Sequence, residues 1–382
     1  MSVPPPPQGP TPPPNGFQPP SDSPRGVPYS GYLPQSWPPS PRPPARKRGN
    51  GLKWILGVVA ILAVVGVTAA VTLAVANRGE QGEPGPGAVN TSSTPSRGNV
   101  ASDIASANDT GPVGVITEDP TCASEYPIMT AWVNKSKNGW AERDPSIPAT
   151  AWSPEVRKQH EEVGEALRVA ANQLQPLLKV TPHRVVREIY EQFIAYGRAY
   201  ADSIPTYTPP ADYLARVAVN ASDAIANICS AVNFGSAAAR GPLVSKLPAP
   251  SDFAAPNIDD PQRFMKSSDP VCGEWNEVLQ GLDRDTTAWR ATDPSVPSTE
   301  WTPEEKALNE EVIPIMRRVA NQMLALGNRS QNSVLKDLAD LSVQYRNAFI
   351  AAIPTYMPAD NYLSLASLRV AGIVNSACRA AA

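Results

Sequence analysis

Hydrophobic positions along this chain fall into three regimes. Between Trp54 and Ala76 they run unbroken, WILGVVAILAVVGVTAAVTLAVA, 23 residues without a charge. At ~1.5 Å rise per residue, such a helix crosses a hydrocarbon core of ~30 Å. This segment is therefore expected to be a transmembrane helix. Beyond residue 118 the apolar residues recur three and four apart, the period of a half-buried helix. In the first 45 residues hydrophobic positions are sparse, and prolines take their place.

The periodic region resolves into helical stretches that occur twice. Trp275, Val278, Leu279 and Leu282 mark a first helix within 271–288. Ser153-Pro154-Glu155 and Thr302-Pro303-Glu304 each present a capping hydroxyl, a proline at the first helical position and an acid in the first turn. The helices they open bury Val163, Leu167, Ala170 and Leu174, and Val312, Met316, Val319 and Met323, with Pro314 expected to kink the second. A third helix is expected from about 181 to 202 and from about 333 to 352, where Ile189, Phe193, Tyr196 and Tyr200 match Leu338, Ser342, Tyr345 and Phe349. IPTY, at 204–207 and again at 353–356, breaks the chain before a fourth helix over 211–231 and 359–380. Strand-like alternation is absent.

Laid over one another, residues 119–231 and 269–380 match at an offset of 149 to 150. DPTC meets DPVC, Trp140 meets Trp289, DPSIP meets DPSVP, Trp152-Ser-Pro-Glu meets Trp301-Thr-Pro-Glu, and AANQL meets VANQM. The four cysteines stand near the start and end of each copy. Three pairings are formally open; a duplicated unit that carries its own bridge pairs Cys122 with Cys229 and Cys272 with Cys378. In an up-down-up-down bundle the start of the first helix and the end of the fourth lie at the same end, where these pairs must meet. The expected fold class is all-α: one transmembrane helix plus two tandem disulfide-closed four-helix-bundle-like repeats.

Charge orients the chain. The total of -3 conceals a basic N-terminal part, with Arg25, Arg42, Arg46, Lys47, Arg48 and Lys53 against Asp22 alone. The basic cluster abuts the apolar span, so the positive-inside bias puts the N-terminus in the cytoplasm and everything after residue 77 outside, where disulfides persist. A signal peptide cut after Ala74-Val75-Ala76 is the alternative, disfavoured by the length of the apolar run and the 50-residue tail before it. Gly66 and Ala70 form a small-xxx-small pair of the kind that lets membrane helices pack closely. A basic stripe on a folded domain is missing, so no nucleic-acid partner is expected.

The resulting organisation is a proline-rich cytoplasmic tail over 1–53, the span over 54–76, a flexible stalk over 77–118, repeat 1 over 119–232, a linker over 233–268 and repeat 2 over 269–382. The tail, with PPPP, TPPP and PRPP, is expected to be disordered and partly polyproline II. It is either a solvated spacer or a docking site for a protein partner, switched by phosphorylation at Ser23, Ser36 or Ser40.

Catalytic chemistry has little to rest on. The two histidines, His160 and His183, face Asn309 and Asn332 in the other copy, which excludes a shared histidine mechanism. No GxSxG, HExxH, P-loop or GxGxxG pattern occurs. Without CxxC spacing or paired histidines no zinc site is expected, and no cofactor is implied. Glu161-Glu162 and Glu310-Glu311 recur on the second helix, as acid/base candidates or as a solvated, ion-paired face. Trp140, Trp152 and Tyr207, with Trp289, Trp301 and Tyr356, sit on proline-rich connections and are the candidate ligand-binding residues; the structural alternative is that these rings plug the bundle ends. Asn172 and Asn321 are read as hydrogen-bond anchors inside the helical core, or as polar binding groups.

A PPPP-rich start, a basic cluster, an Ala/Val/Gly-rich span, a polar stalk and an Ala-rich outer part together resemble proline-rich single-pass membrane proteins of mycobacteria and related actinobacteria. The resemblance implies a cell-envelope location and carries over no functional residues. The expected function is non-enzymatic: an integral membrane protein whose duplicated outer domains bind a protein, peptidoglycan or lipid ligand. The alternatives are an enzyme or enzyme subunit acting on an envelope polymer through Glu161, Glu162, Glu310 or Glu311, and a structural spacer.

Overall fold

The computed structural model describes residues 104–382. The expected tail, transmembrane span and first part of the stalk lie outside the described residues, and among the described residues no helix is long and apolar enough to cross a membrane. The described chain is all-helical apart from its connections. Copy 1 contains α1 (Cys122–Ser136), α2 (Pro154–Val180), α3 (Arg184–Ser203) and α4 (Asp212–Asn233); a short α5 (Ser236–Arg240) follows; copy 2 contains α6 (Cys272–Asp285), α7 (Pro303–Arg329), α8 (Ser333–Ala352) and α9 (Asn361–Ala380).

The long helices start where their capping residues dictate. Ser153 Oγ accepts the Val156 N–H at 3.3 Å. Thr302 goes further, its Oγ1 accepting from Glu305 N at 3.2 Å while Glu305 Oε2 accepts from Thr302 N at 2.9 Å, a reciprocal capping box. Pro314 does not end its helix: α7 runs as one 27-residue element, the same length as α2. Losing one intrahelical bond is outweighed by an apolar stripe, from Val312 to Leu326, that stays buried on both sides of the proline.

Within each copy the helices close a ring, α1 on α2, α2 on α3, α3 on α4 and α4 back on α1, with the same order in α6 to α9. The disulfides Cys122–Cys229 and Cys272–Cys378 staple first to fourth helix, with Cα atoms 5.4 and 5.5 Å apart. The two copies then pack together in one compact unit, mainly through α4 against α9. That contact is antiparallel: Tyr213 meets Arg379, and Phe234 stacks on Tyr362 with ring centroids 5.4 Å apart. Asp223 pairs with Arg369 at 3.2 Å, and Asn220 lies so close to Gly372 that no Cβ fits. Positions 220 and 369 are equivalent in the repeat, as are 223 and 372, so exchanging the copies maps this contact onto itself. An approximate twofold axis therefore runs between α4 and α9.

Two irregular segments complete the body. Residues 104–118, expected as the end of a flexible stalk, are built in: Ile104, Val113 and Ile116 are buried, Ala105 N donates to Lys179 O, and Ile116 O accepts from Tyr345 Oη in copy 2. The segment after copy 1 carries α5, whose Arg240 donates to both carboxylate oxygens of Asp360 at 3.0 and 2.8 Å and to Thr355 O and Oγ1, pinning the connection that leads into α9.

Candidate functional site

The aromatic residues singled out from the sequence assemble into one nest per copy, each where a proline-rich connection crosses the bundle end. In copy 1, Trp152 Nε1 donates to Ile147 O at 2.9 Å and Tyr207 Oη to Pro145 O at 3.0 Å; in copy 2, Trp301 Nε1 donates to Val296 O at 3.0 Å and Tyr356 Oη to Pro294 O at 2.7 Å. Backbone bonds lock the same junction, Ala149 N to Tyr207 O and Ser298 N to Tyr356 O. Trp140, Tyr207 and Tyr356 are buried, while Trp152, Trp289 and Trp301 are half-buried and keep an edge at the surface.

Behind these shared rings the copies differ. The Tyr200 hydroxyl accepts from Trp140 Nε1 at 2.7 Å and also shares a hydrogen bond of 2.7 Å with His160 Nδ1, whose direction follows the imidazole tautomer. His160 Nε2 is buried without a partner, and the ring stacks on Trp152 at 3.9 Å between centroids. Burial, helped by the nearby Arg143 guanidinium, holds the His160 pKa down to about 4, so it is neutral at ordinary pH. Copy 2 does the same job without titratable groups: Trp289 Nε1 donates directly to Asn309 Oδ1 at 2.9 Å, and Phe349 replaces Tyr200. His183 also has a structural contact, its Nε2 donating to Glu118 O at 2.8 Å.

Glu161, Glu162, Glu310 and Glu311 are all exposed, Glu162 beside Lys158 and Glu310 beside Lys306 at 3.8 Å, one helical turn away in each case. Glu161 borders an open groove of about 390 Å³ with Arg157, Arg168, Asp202, Ile204 and Pro205. Asn172 and Asn321 are not core anchors; both are exposed, and Asn172 accepts from Arg198 at 2.9 Å. At 100° per residue Asn172 lies about 140° around the helix from Leu167, away from the buried stripe. Among the described residues no group of three or more His, Cys, Asp or Glu is placed to hold a metal ion.

Two polar clusters escaped the sequence reading. Glu125, which matches Trp275 in copy 2, is 2% exposed; its Oε2 has no partner, and burial together with nearby Asp119 pushes its pKa up to about 8. The second cluster lies where α3 and α8 touch. Arg184 donates from Nε to Asp337 Oδ2 at 2.7 Å and from Nη2 to Oδ1 at 3.2 Å, Arg187 pairs with Glu191 at 2.6 Å, and Lys336 pairs with Asp340 at 3.0 Å, with the two arginines and all three acids buried. The sequence did carry a signal for it, since acids recur at equivalent positions, Glu188 with Asp337 and Glu191 with Asp340.

The nests and clusters sit within a region that a family model described as mycobacterial ESX-1 associated protein matches over residues 104–382. An uncharacterized protein of Mycolicibacterium smegmatis (strain MKD8) is 54% identical over 385 residues, an alignment that covers 100% of this chain and 97% of that protein. No solved structure matches.

Proposed function

The chain belongs to the mycobacterial ESX-1 associated protein family, and from that premise we propose that it is a non-enzymatic envelope protein working alongside ESX-1, its two fused helical copies forming a rigid binding platform. Residues 54–76 anchor it in the membrane, residues 1–53 face the cytoplasm, and the body described above stands outside. One observation carries the reading: the copies share a surface and not a chemistry. Trp152 and Trp301 hold the same half-buried place with matched indole and tyrosine hydrogen bonds, whereas the titratable groups behind them, His160 and Tyr200, are Asn309 and Phe349 in the other copy. Aromatic edges held by indole hydrogen bonds to backbone carbonyls, on a scaffold that spends little rotamer freedom on binding, suit recognition. The repeated acids stand in solvent rather than in a shared cleft, Glu162 and Glu310 each beside a lysine one helical turn away.

The test is crosslinking in intact cells with a photoreactive side chain at Trp152 or Trp301, followed by mass spectrometry. Capture of the same defined envelope protein, peptidoglycan fragment or lipid from both positions, lost when Trp152→Ala and Trp301→Ala are combined, supports the platform. Capture that is the same at Trp152, Trp301 and an unrelated exposed position such as Glu162 overturns it.

A further inference from the structure

The contact between α3 and α8 is built from charge, and the repeat shows what is missing from it. Arg184 of copy 1 grips Asp337 of copy 2 with two hydrogen bonds. Exchanging the copies turns this pair into Ser333 and Glu188, and serine has no charge to offer. Glu188 is fully buried, and neither of its carboxylate oxygens has a hydrogen-bond partner. Under the same exchange Glu188 and Asp337 swap places, which sets these two acids against one another across the twofold axis. We propose that this junction is a proton-binding site, in which Glu188 holds a proton where the cation of its twofold mate is absent, and that release of this proton loosens α3 from α8 and frees residues 104–119.

The surrounding charges leave no other compensation. On α3, Arg187 is committed to Glu191 and to Ser106 Oγ. Arg184 is committed to Asp337 and, through its backbone and side chain, to Asp109. On α8, Lys336 is committed to Asp340, whose Oδ1 has no partner. From the segment after copy 1, Asn257 N adds a neutral donor to Glu191 at 3.3 Å. Three cations thus face the acids Glu188, Glu191, Asp337, Asp340 and Asp109, and a buried carboxylate with no hydrogen bond does not stay ionised. No metal ligand set is available to replace the missing charge among the described residues. Burial first, and the Asp337 charge second, raise the Glu188 pKa well above the ordinary carboxylate range, in agreement with the geometry.

The sign follows from linkage. A carboxyl whose folded pKa lies above its unfolded value favours the closed junction at low pH and loses that contribution as pH rises toward the folded pKa. Residues 104–119 respond with it because they accept directly from the cluster: Asp109 and Gly111 from Arg184, Ser106 from Arg187.

Hydrogen–deuterium exchange of the full chain across pH 5.5 to 9.5, corrected for the intrinsic rise of amide exchange with pH, reads this directly. In the wild type, corrected exchange in 104–119 and in the first turns of α3 and α8 should rise by about tenfold per pH unit while one proton is linked to opening, and exchange in α4 should not. Glu188→Gln, which needs no proton, should stay flat. Ser333→Arg supplies the missing cation at a half-buried position and should also flatten the profile, a result that does not depend on Glu188→Gln folding. A wild-type profile that is already flat overturns the proposal, as does a profile in which Ser333→Arg rises just like the wild type.

Discussion

Replacing Glu125 by Gln isolates the energetic effect of a carboxyl buried where the other copy buries an indole. An unperturbed glutamate releases its proton near 4.5, but in the fold Glu125 holds it to about 8. Between those values the folded state carries a proton that the unfolded chain has released, so stability falls as pH rises, at ~1.4 kcal/mol per pH unit. Over the whole window this amounts to about 5 kcal/mol, and between pH 5.5 and 7.5 to about 2.5 kcal/mol. Gln keeps the shape and polarity without the proton. The variant should therefore lose that part of the slope and, at pH 7.5, be more stable than the wild type by about 2–4 kcal/mol, the lower end allowing for the unpartnered amide. Urea unfolding of the oxidised chain, followed by tryptophan fluorescence at a series of pH values, measures both quantities. Glu188, Glu191 and Asp340 also lean the wild-type curve the same way, so the difference between the two proteins is the informative quantity. If the two stability curves run parallel from pH 5.5 to 8.5, Glu125 does not hold a proton in the fold and the argument fails.

The remaining predictions concern the staples. Changing Cys272 and Cys378 together to Ser opens a loop of 106 residues and should lower stability by up to ~4.7 kcal/mol on the chain-entropy account, read as a lower urea midpoint with the copy 1 bridge still present by thiol titration. Arg240→Ala leaves the buried Asp360 carboxylate with only the Met357 N–H at 2.9 Å and should cost about 2–4 kcal/mol. Arg168→Ala, which breaks an exposed pair with Asp202, should cost less than about 1 kcal/mol in the same urea titrations.

Much of one copy was legible because two versions of it could be compared. The helix starts at Ser153 and Thr302 rest on local chemistry, a hydroxyl that meets an unsatisfied N–H three residues on, and local chemistry can be read from a string. The half-cystine pairs follow from duplication. What stayed hidden was decided by distant parts of the chain. Ile189, Phe193, Tyr196 and Tyr200 mark one apolar face of α3, and periodicity gives no account of the charges on its other side. The fold buries them under residues 104–118 and α8, neither of which helix periodicity can place there. Asn172 and Asn321 differ for a simpler reason: their neighbours in the string are apolar, which suggests a core role, but their angular position turns them to solvent. The aromatic residues fell where the sequence put them, on the proline-rich connections, but only the structure separates buried Trp140 from Trp152, which keeps an edge in solvent.

The twofold axis between α4 and α9 has a consequence for how such a protein can change. Were the copies separate, identical chains, every substitution would be made twice, and a new arginine would appear on both sides of the seam or on neither. Joined in one polypeptide, the halves mutate independently while still fitting each other like the halves of a dimer. Arg184 can then exist without a twin at Ser333, Glu125 without a twin at Trp275, and His160 without a twin at Asn309. Covalent fusion thus lets each half bury ionisable groups that its counterpart lacks, Arg346 standing in copy 2 where copy 1 has Gly197.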